Sequence, residues 1–244
     1  FDKEKLPLNK DKKLTLIKYF TQEQMIASEL IIDSLPPLKP SETIGKASLW
    51  MSEFKVSHLP VVDKDDFFGI LSEEDILDIN DESETIQSSK IKLQSVFAYE
   101  HQHIFELMQK MSENHLTIMP ILDIKDNYIG SITLPNLLTV ASNITSIKEP
   151  GGVIVLRVNA KDYSLAQIAQ IVEGNNARIL SSYITSSDDT TEIEVTIKIN
   201  KKELGAILQT FSRYDYNVIE SYQKEDDFKD IQNRFDNLMD MLDL

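Results

Sequence analysis

Two stretches of the chain carry apolar residues at helical spacing, and each is followed by a short apolar run. The helical positions recur every three or four residues, which predicts a helix with one buried face. The runs at residues 59–62 and 118–122 predict a β-strand after each helix. The helical positions are Ile44, Ala47, Met51 and Phe54 in the first stretch and Ile104, Leu107 and Met111 in the second.

A second strand and a second helix follow in each stretch. After a polar turn, residues 67–71 and 128–132 return as a second strand. Ser72 and Thr133 then stand where this strand gives way to a helix, and hydroxyl side chains favour the N-cap position. Each stretch therefore predicts the order helix–strand–strand–helix.

The two stretches are copies of one repeat. The triplet Met-Ser-Glu occupies residues 51–53 and again residues 111–113, and Pro60 has Pro120 as its counterpart at the same offset. One inserted residue later, the glycine and the hydroxyl residue of each copy still align. About 50 residues make a marginal core alone, so we expect the copies to pack together as one pseudo-twofold unit.

The pattern changes after the chain-breaking sequence Pro150-Gly151-Gly152. The elements that follow have the order βαββαβ, which is a ferredoxin-like split unit. A polar run at residues 186–189 predicts a hairpin turn between its second and third strands. The predicted strands cover residues 153–158, 178–185, 192–197 and 216–222, and the predicted helices cover residues 165–172, behind a Ser164 cap, and 201–213.

The end of the sequence predicts an amphipathic helix. Its apolar residues alternate at spacings of three and four on an otherwise acidic segment, which forms a narrow apolar seam. Such a seam packs either on its own subunit or on a helix of a partner. The seam consists of Phe228, Ile231, Phe235, Leu238 and Leu242.

These patterns together predict a mixed α/β (α+β) fold. It contains the two packed repeats, the βαββαβ domain and a terminal helix. The predicted divisions are an N-terminal extension at residues 1–24, the first repeat at 25–88, the second repeat at 89–147, the ferredoxin-like domain at 148–222 and the C-terminal helix at 223–244.

Composition and charge exclude several classes of protein. The 244 residues include 40 acidic and 25 basic side chains, for a net charge of -15, and no cysteine. Without cysteine there is no disulfide framework, no thiolate-ligated metal and no thiolate catalysis. The acidic surplus repels phosphate backbones and anionic lipid, so we expect neither a nucleic acid nor a membrane as partner. The first 20 residues lack the apolar core of a signal peptide, and we therefore expect a cytoplasmic protein.

Motifs for catalysis and metal binding are missing from the sequence. It contains no Gly-x-x-x-x-Gly-Lys loop, no Gly-x-Ser-x-Gly elbow and no His-Glu-x-x-His helix, so we expect no enzyme activity. His101 and His103 are two residues apart and would point to different sides of a helix. With no acidic ligand at matching spacing, we expect no metal site.

The repeats resemble a tandem pair of CBS domains. The segments that carry the resemblance are VSHLPVVDKDDFFGILSEEDIL and LTIMPILDIKDNYIGSITLPNLL. In that family the paired domains form a disc with two clefts, which often hold adenine nucleotides and regulate an attached enzyme, channel or partner. The resemblance implies AMP, ADP or ATP as a ligand and requires no cofactor.

The resemblance also implies a nucleotide-binding motif. In the family a glycine is followed three residues later by a hydroxyl residue near phosphate, and three further by an aspartate that binds the ribose hydroxyls. Because an amide is a weaker acceptor than a carboxylate, we favour the cleft of the first copy. The implied residues are Gly69, Ser72 and Asp75 in the first copy, Gly130, Thr133 and Asn136 in the second, and His58, Leu59, Pro60 and Met119 at the segments that meet adenine.

A second interpretation of the motif needs no ligand. Ser-x-x-Asp and Thr-x-x-Asn at the start of a helix also form ordinary capping interactions. Glu73 and Glu74 add negative charge close to where a phosphate would lie. The clefts are therefore either nucleotide sites or purely structural, and His58 either contacts the nucleotide or has a half-buried structural role.

The C-terminal region, residues 153–222, resembles an ACT domain, a small-molecule sensing and dimerising module of metabolic regulators. The resemblance lies in the order of elements and in DYSLAQIAQIVEGNNARI. The family commonly has Pro-Gly in the first strand–helix loop, where this chain has Tyr163 and Ser164. Glycine suits close approach to a ligand, so its absence favours dimerisation over ligand sensing.

These features together predict a non-catalytic regulatory protein that forms a homodimer. The CBS pair would sense an adenine nucleotide, and the ACT-like domain would dimerise or read a small metabolite. The output would reach an unknown regulated protein, and the layout resembles regulatory proteins of the acetoin-utilisation type. The alternative is a scaffold with empty clefts that oligomerises through the edge of the ACT-like sheet and the C-terminal seam.

Overall fold

The computed structural model describes residues 25–31, 35–77, 79–186 and 191–223. The predicted N-terminal extension and C-terminal helix lie outside these residues, apart from Gln223, and so does most of the predicted hairpin turn. Contacts between residues divide the chain into two compact units, Phe1–Thr139 and Val140–Leu244. The predicted mixture of helices and sheets is confirmed, whereas the exact domain boundaries stay predictions.

The first unit contains the two repeats, and each has the predicted order helix–strand–strand–helix. The last helix extends past Thr139 into the second unit. The elements are α1 Ala27–Leu30, α2 Ile44–Phe54, β1 His58–Asp63, β2 Asp66–Ser72, α3 Glu73–Leu77, β3 Ala98–Tyr99, α4 Ile104–Glu113, β4 Ile118–Leu122, β5 Tyr128–Thr133 and α5 Leu134–Ile144.

The strand pairs of the two repeats have the same register. β1 and β2 are antiparallel with His58 opposite Ser72, and β4 and β5 are antiparallel with Ile118 opposite Thr133. β3 adds to the second pair, parallel to β4. The register brings the residue that opens the first strand next to the residue that precedes the following helix. In each repeat, these two residues are separated in the sequence but lie next to each other in the structure.

The two repeats share a hydrophobic core. The positions predicted to be buried on α2 and α4 are buried, except that Phe54 is only partly so. Ile118 of the second repeat packs in the same cluster as Leu59 and Leu71 of the first. The prediction that the copies pack as one unit is confirmed by this shared cluster.

Two segments pair with the repeat opposite to the one that they lead into. They are residues 25–31, which precede α2 of the first repeat, and residues 79–97, which precede β3 and α4 of the second. The segment before the first repeat pairs with the second, since Ile104 N–H donates to the Met25 carbonyl at 2.9 Å. The segment before the second repeat pairs with the first, since Ile44 N–H donates to the Glu84 carbonyl at 2.9 Å. Neither pairing was predicted from the sequence.

The equivalent positions of the two repeat glycines are explained by this exchange. A Cβ atom on Gly69 would lie 2.7 Å from Leu93 Cβ, in the segment before the second repeat. A Cβ atom on Gly130 would lie 2.4 Å from Ile31 Cγ2, in the segment before the first. Both distances are shorter than a carbon–carbon contact allows, so each glycine makes room for the exchanged segment.

The second unit has the predicted order βαββαβ. Its elements are β6 Gly152–Asn159, α6 Leu165–Gly174, β7 Ile179–Ser186, β8 Glu192–Ile199, α7 Gly205–Arg213 and β9 Asn217–Tyr222. The four strands form one antiparallel sheet in the order β7-β8-β6-β9. Ile154 and Leu156 of β6 share a core cluster with Ile168 of α6 and Phe211 of α7, so both helices cover one face of the sheet.

The two helices of this unit begin differently from each other. Ser164 caps α6 as predicted, since its hydroxyl accepts from Gln167 N–H at 3.3 Å. The second helix begins at Gly205 and not at Lys201 as predicted. The Lys201 carbonyl accepts from Gly152 N–H at 2.9 Å, which joins this residue to the start of β6 and leaves residues 201–204 as a loop.

Gly151 should be essential to the stability of the second unit. A Cβ atom there would lie 1.8 Å from the Ile199 carbonyl oxygen, which is fixed in β8. We expect Gly151→Ala to lower the free energy of unfolding by about 2 kcal/mol or more, measured by urea denaturation of the full chain. Gly174→Ala is the matched control, because its Cβ would contact nothing within 4 Å and alanine favours the helix. Equal losses in both variants would contradict the steric explanation.

Candidate functional site

A cleft of about 630 Å³ lies between the two repeats. We call it the inter-repeat cleft. Both repeats and the segment joining them contribute to its walls. Its lining residues are Ser57, His58, Ser72, Glu73, Glu74, Leu77, Gln94, Asn114, His115 and Thr117.

One wall is built by hydrogen bonds across the repeats. Ser57 and Thr117 occupy equivalent positions before the first strand of each copy, and Ser57 N–H donates to Thr117 Oγ1 at 3.1 Å. Thr117 Oγ1 also lies 3.0 Å from His58 Nδ1, and Thr117 N–H donates to the same nitrogen at 3.3 Å. Because a backbone N–H can only donate, His58 Nδ1 must accept, and the proton of the neutral ring is on Nε2.

The surroundings of His58 favour the neutral imidazole. Partial burial lowers its pKa below the ordinary value of 6.5, against the opposing effect of the nearby Asp75, Glu74 and Glu73 carboxylates. A protonated Nδ1 could not accept from Thr117 N–H. The neutral ring is therefore part of the connection between the repeats, which is the structural role that the sequence left open for this residue.

The Ser72 and Asp75 side chains bind each other at the start of α3. Ser72 N–H and the Ser72 hydroxyl donate to Asp75 Oδ2 at 2.9 and 2.6 Å, and Asp75 N–H donates to Ser72 Oγ at 3.1 Å. This is a reciprocal capping box. Both side-chain bonds use Oδ2, and within the described ranges no donor binds Oδ1. The capping interpretation thus describes the contacts present, while one carboxylate oxygen stays open to a further donor.

The inter-repeat cleft is electrostatically negative on the side of α3. Glu73 and Glu74 are exposed there and line the cleft beside Ser72. No lysine or arginine is among its lining residues. The histidines among its lining residues are His58 and His115, and burial lowers the pKa of His58. An anionic ligand would therefore meet repulsion from α3.

The second motif has different contacts from the first. Asn136 Nδ2 donates to the Leu30 carbonyl at 3.2 Å, and Ile31 lies over Gly130. A carboxylate at position 136 would face that carbonyl oxygen without a proton to share. Asn136 thus binds the exchanged segment, and neither it nor Thr133 lines the inter-repeat cleft.

The remaining residues implied by the family resemblance are buried in the strands. Leu59 and Met119 are fully buried, and Pro60 is buried beside Leu59. Their side chains fill the core, so only their main-chain atoms are left to meet a ligand. Gly69 is likewise covered by Leu93.

Three lining residues outside the strand–helix motif were not predicted from the sequence. Gln94 comes from the segment joining the repeats, and Asn114 and His115 follow the end of α4. They lie outside the strand–helix motif, so only the exchange of segments and the packing of the repeats bring them to the cleft. A pattern within one repeat does not contain that information.

The histidines considered as metal ligands have other contacts. His103 caps α4, where its Nδ1 accepts from Phe105 N–H at 3.3 Å. The ring of His101 stacks on Tyr99 with centroids 5.8 Å apart. Among the described residues, no three histidine or carboxylate side chains form a cluster that could hold a metal ion. In the same residues, no helix combines the length and apolarity needed to span a membrane.

The two repeats are similar to known sequences. The model of the CBS domain family matches residues 27–82 and 91–143. The chain is 32% identical over 113 residues to inosine-5'-monophosphate dehydrogenase of Methanocaldococcus jannaschii. That match covers 46% of this chain and 23% of the dehydrogenase, so the chain spans less than a quarter of that relative's length.

Solved structures show a weaker similarity. A CBS domain pair/ACT domain protein from Thermotoga maritima is 21% identical with a TM-score of 0.44, covering 49% of this chain and 98% of that protein. The structure of CBSX2 in complex with AMP is 21% identical with a TM-score of 0.42, covering 49% of this chain and 98% of that one.

The pH dependence of stability should report the neutral state of His58. Because folding lowers its pKa below 6.5, the unfolded chain binds more protons in the window just below that value. The stabilisation from neutral His58 is complete above the pKa of the unfolded chain. It is lost as the pH falls from that value through the lower pKa of the folded chain. His58→Asn retains an acceptor near the position of Nδ1 but does not titrate. We expect it to lose less stability than the wild type between about pH 7.5 and 5 in urea unfolding.

The comparison isolates His58 because the other three histidines are the same in both proteins. Parallel stability profiles for the wild type and His58→Asn would show that folding does not change the protonation of this ring.

Proposed function

We propose that the tandem pair of CBS domains formed by residues 27–82 and 91–143 is a regulatory module that binds an adenine nucleotide in the inter-repeat cleft. The observation that carries the proposal is that Ser72 lines this cleft beside Ser57 and Thr117 and is hydrogen-bonded to Asp75. The CBS resemblance assigns Ser72 to phosphate, Asp75 to ribose and the main chain of the segments at Ser57 and Thr117 to adenine.

Asp75 supplies the ribose contact. Its Oδ2 is engaged by Ser72, and Oδ1 is the acceptor for the ribose hydroxyls. A charged acceptor makes the stronger kind of hydrogen bond to a neutral donor. The second motif has no such group, because Asn136 is bound to the Leu30 carbonyl. The proposed stoichiometry is therefore one nucleotide per chain.

The charge of the cleft bears on which nucleotide binds. Glu73 and Glu74 stand next to the proposed phosphate position, and no lysine or arginine lines the cleft to offset them. Each additional phosphate adds repulsion from these carboxylates. We therefore propose AMP in preference to ADP or ATP.

The position of the cleft between the two repeats provides the proposed mechanism of regulation. Its walls come from both repeats, so a ligand that contacts both walls binds one arrangement of the repeats better than others. The ratio of the ligand's affinities for two arrangements of the repeats sets how far the equilibrium between them shifts. The proposed output is a change in binding to a separate, unknown regulated protein, and no catalytic step is assigned to the chain. The second unit is proposed to act as an ACT-like dimerising domain.

Charge-altering variants in the cleft test this proposal. Asp75→Asn retains an acceptor for the capping box but removes the negative charge from the ribose contact. We expect it to weaken AMP binding by about tenfold to a hundredfold in calorimetry of the full chain. Glu74→Gln should instead tighten binding by a few-fold, more for ATP than for AMP, and the gain should shrink with added salt.

The matched control is Glu53→Gln, on an exposed position of α2 that does not line the cleft. It should leave the affinity unchanged. The absence of saturable binding for all three adenine nucleotides would refute the sensor, as would equal affinities in the wild type and Asp75→Asn.

A scaffold function has its own supporting observation. The most exposed large apolar side chains on four helices of the first unit face solvent. An exposed apolar surface of this kind favours association with another copy. They are Leu49 on α2, Leu77 on α3, Phe105 on α4 and Leu138 on α5, with exposures of 63%, 74%, 61% and 67%.

Association through these helices would give the chain an interface with another copy besides the one proposed for the second unit. We expect Phe105→Asp and Leu138→Asp to shift the chain toward smaller assemblies in sedimentation velocity, because a charge in an apolar interface is left unpaired. Ile124→Asp is the control, since Ile124 is 76% exposed but lies in the turn between β4 and β5. An unchanged sedimentation profile in the two helix variants would show that these helices do not form the interface.

A further inference from the structure

A second cavity, of about 430 Å³, lies at one end of the sheet in the second unit. We call it the sheet-end cavity. Its floor is a row of side chains from three adjacent strands. Val153 of β6 is directly opposite Lys198 of β8 on one side and Tyr222 of β9 on the other. Directly opposed residues of antiparallel strands share a face, so the three side chains lie together.

This row is on the face of the sheet that α6 and α7 leave uncovered. The residues of β6 and β8 that pack against those helices alternate with Val153 and Lys198, namely Ile154, Ile197 and Ile199. The uncovered face is therefore accessible at this end. The floor combines an apolar side chain, an aromatic ring and an ammonium group.

The wall of the cavity is formed by residues 147–151, together with Lys202 from the loop that precedes α7. Two contacts fix these parts. Gly151 packs so closely on the Ile199 carbonyl that no side chain fits, and Gly152 N–H donates to the Lys201 carbonyl at 2.9 Å. The wall and the loop are thus held at the end of the sheet by the backbone.

Positive charge is concentrated in this cavity although the chain as a whole is acidic. Lys148, Lys198 and Lys202 line it with a single carboxylate, Glu149. The ion pairs found among the described residues involve Lys46 and Arg157 and none of these three lysines. Lys148 Nζ donates to Asn143 Oδ1 at 3.1 Å, a neutral partner.

Within the described residues, none of these three lysines is in an ion pair. Like charges in one cavity repel each other, and the neighbouring Glu220 carboxylate is hydrogen-bonded to the Tyr222 hydroxyl and not to a lysine. A bound anion would remove the repulsion. The other lining residues suit the apolar part of an organic ligand and would not contact a bare inorganic ion. They are Ile147, Pro150, Val153 and the Tyr222 ring.

We propose that the sheet-end cavity binds a small organic carboxylate, with its charged group between Lys198 and Lys202 and its apolar body on Val153 and Tyr222. The site is separate from the inter-repeat cleft and does not depend on nucleotide binding. The lysine ammonium is a compact charge on a flexible side chain. It can therefore follow carboxylates of different size, whereas a rigid group would bind only one geometry.

Simple aromatic acids test the proposal by calorimetry on the full chain. The probes are benzoate, the dianion phthalate, the uncharged benzamide and inorganic phosphate. We expect saturable binding in the order phthalate, benzoate, benzamide, with benzamide weaker than benzoate by about tenfold, and no comparable binding of inorganic phosphate. The affinity for phthalate should fall with added salt.

Variants locate the binding. Lys198→Gln and Lys202→Gln should each weaken phthalate binding by about tenfold. Lys161→Gln, an exposed lysine in the turn after β6, should not change it, and neither should Asp75→Asn in the first unit. Thermal unfolding of each variant confirms that its fold is retained.

Three results would overturn the proposal. They are no saturable binding of any aromatic acid at millimolar concentration, equal affinity for benzoate and benzamide, or an equal loss in Lys161→Gln and Lys198→Gln. A failure of AMP binding alongside intact phthalate binding would reject the nucleotide proposal and leave this one standing.

Discussion

The first unit depends on the backbone pairing that exchanges segments between its two repeats. Ile44 and Ile104 begin equivalent helices, and each donates its N–H to a carbonyl of the segment that precedes the other repeat. The first N–H groups of a helix have no partner inside the helix, so a bond at this point satisfies a group that would otherwise need water. The shared core and the inter-repeat cleft both follow, because neither repeat is complete without the other's segment.

The cleft shows how equivalent positions in a repeat take different roles. In the first copy a hydroxyl and a carboxylate bind each other at the helix start, and one carboxylate oxygen stays open. In the second copy the corresponding amide donates to a main-chain carbonyl. Of the two groups, only the amide can donate to a carbonyl, and the ionised carboxylate can only accept. The two equivalent positions therefore differ in their contacts: the carboxylate binds the start of its own helix, and the amide binds the exchanged segment.

Much of the fold was predictable because its signals are local. The apolar stripes on α2 and α4, the N-caps Ser72 and Ser164, and the order βαββαβ each follow from spacing and residue type within a few residues. The start of α7 was predicted four residues too early, because the Lys201 carbonyl is bound by Gly152, about 50 residues away in sequence. The same limit applies to the cleft. Ser72 was identifiable from its motif, whereas Gln94, Asn114 and His115 reach the cleft only through tertiary packing.

The exchange of segments also bears on how this chain behaves at high concentration. Every bond that the segment before one repeat makes with the other repeat could be made equally well by the same segment of a second molecule. Opening the connection around residues 79–94 would therefore let two chains trade segments and form an intertwined pair with the native hydrogen bonds intact. Such a pair would separate only by partial unfolding, so its formation and dissociation would be slow compared with association through a surface.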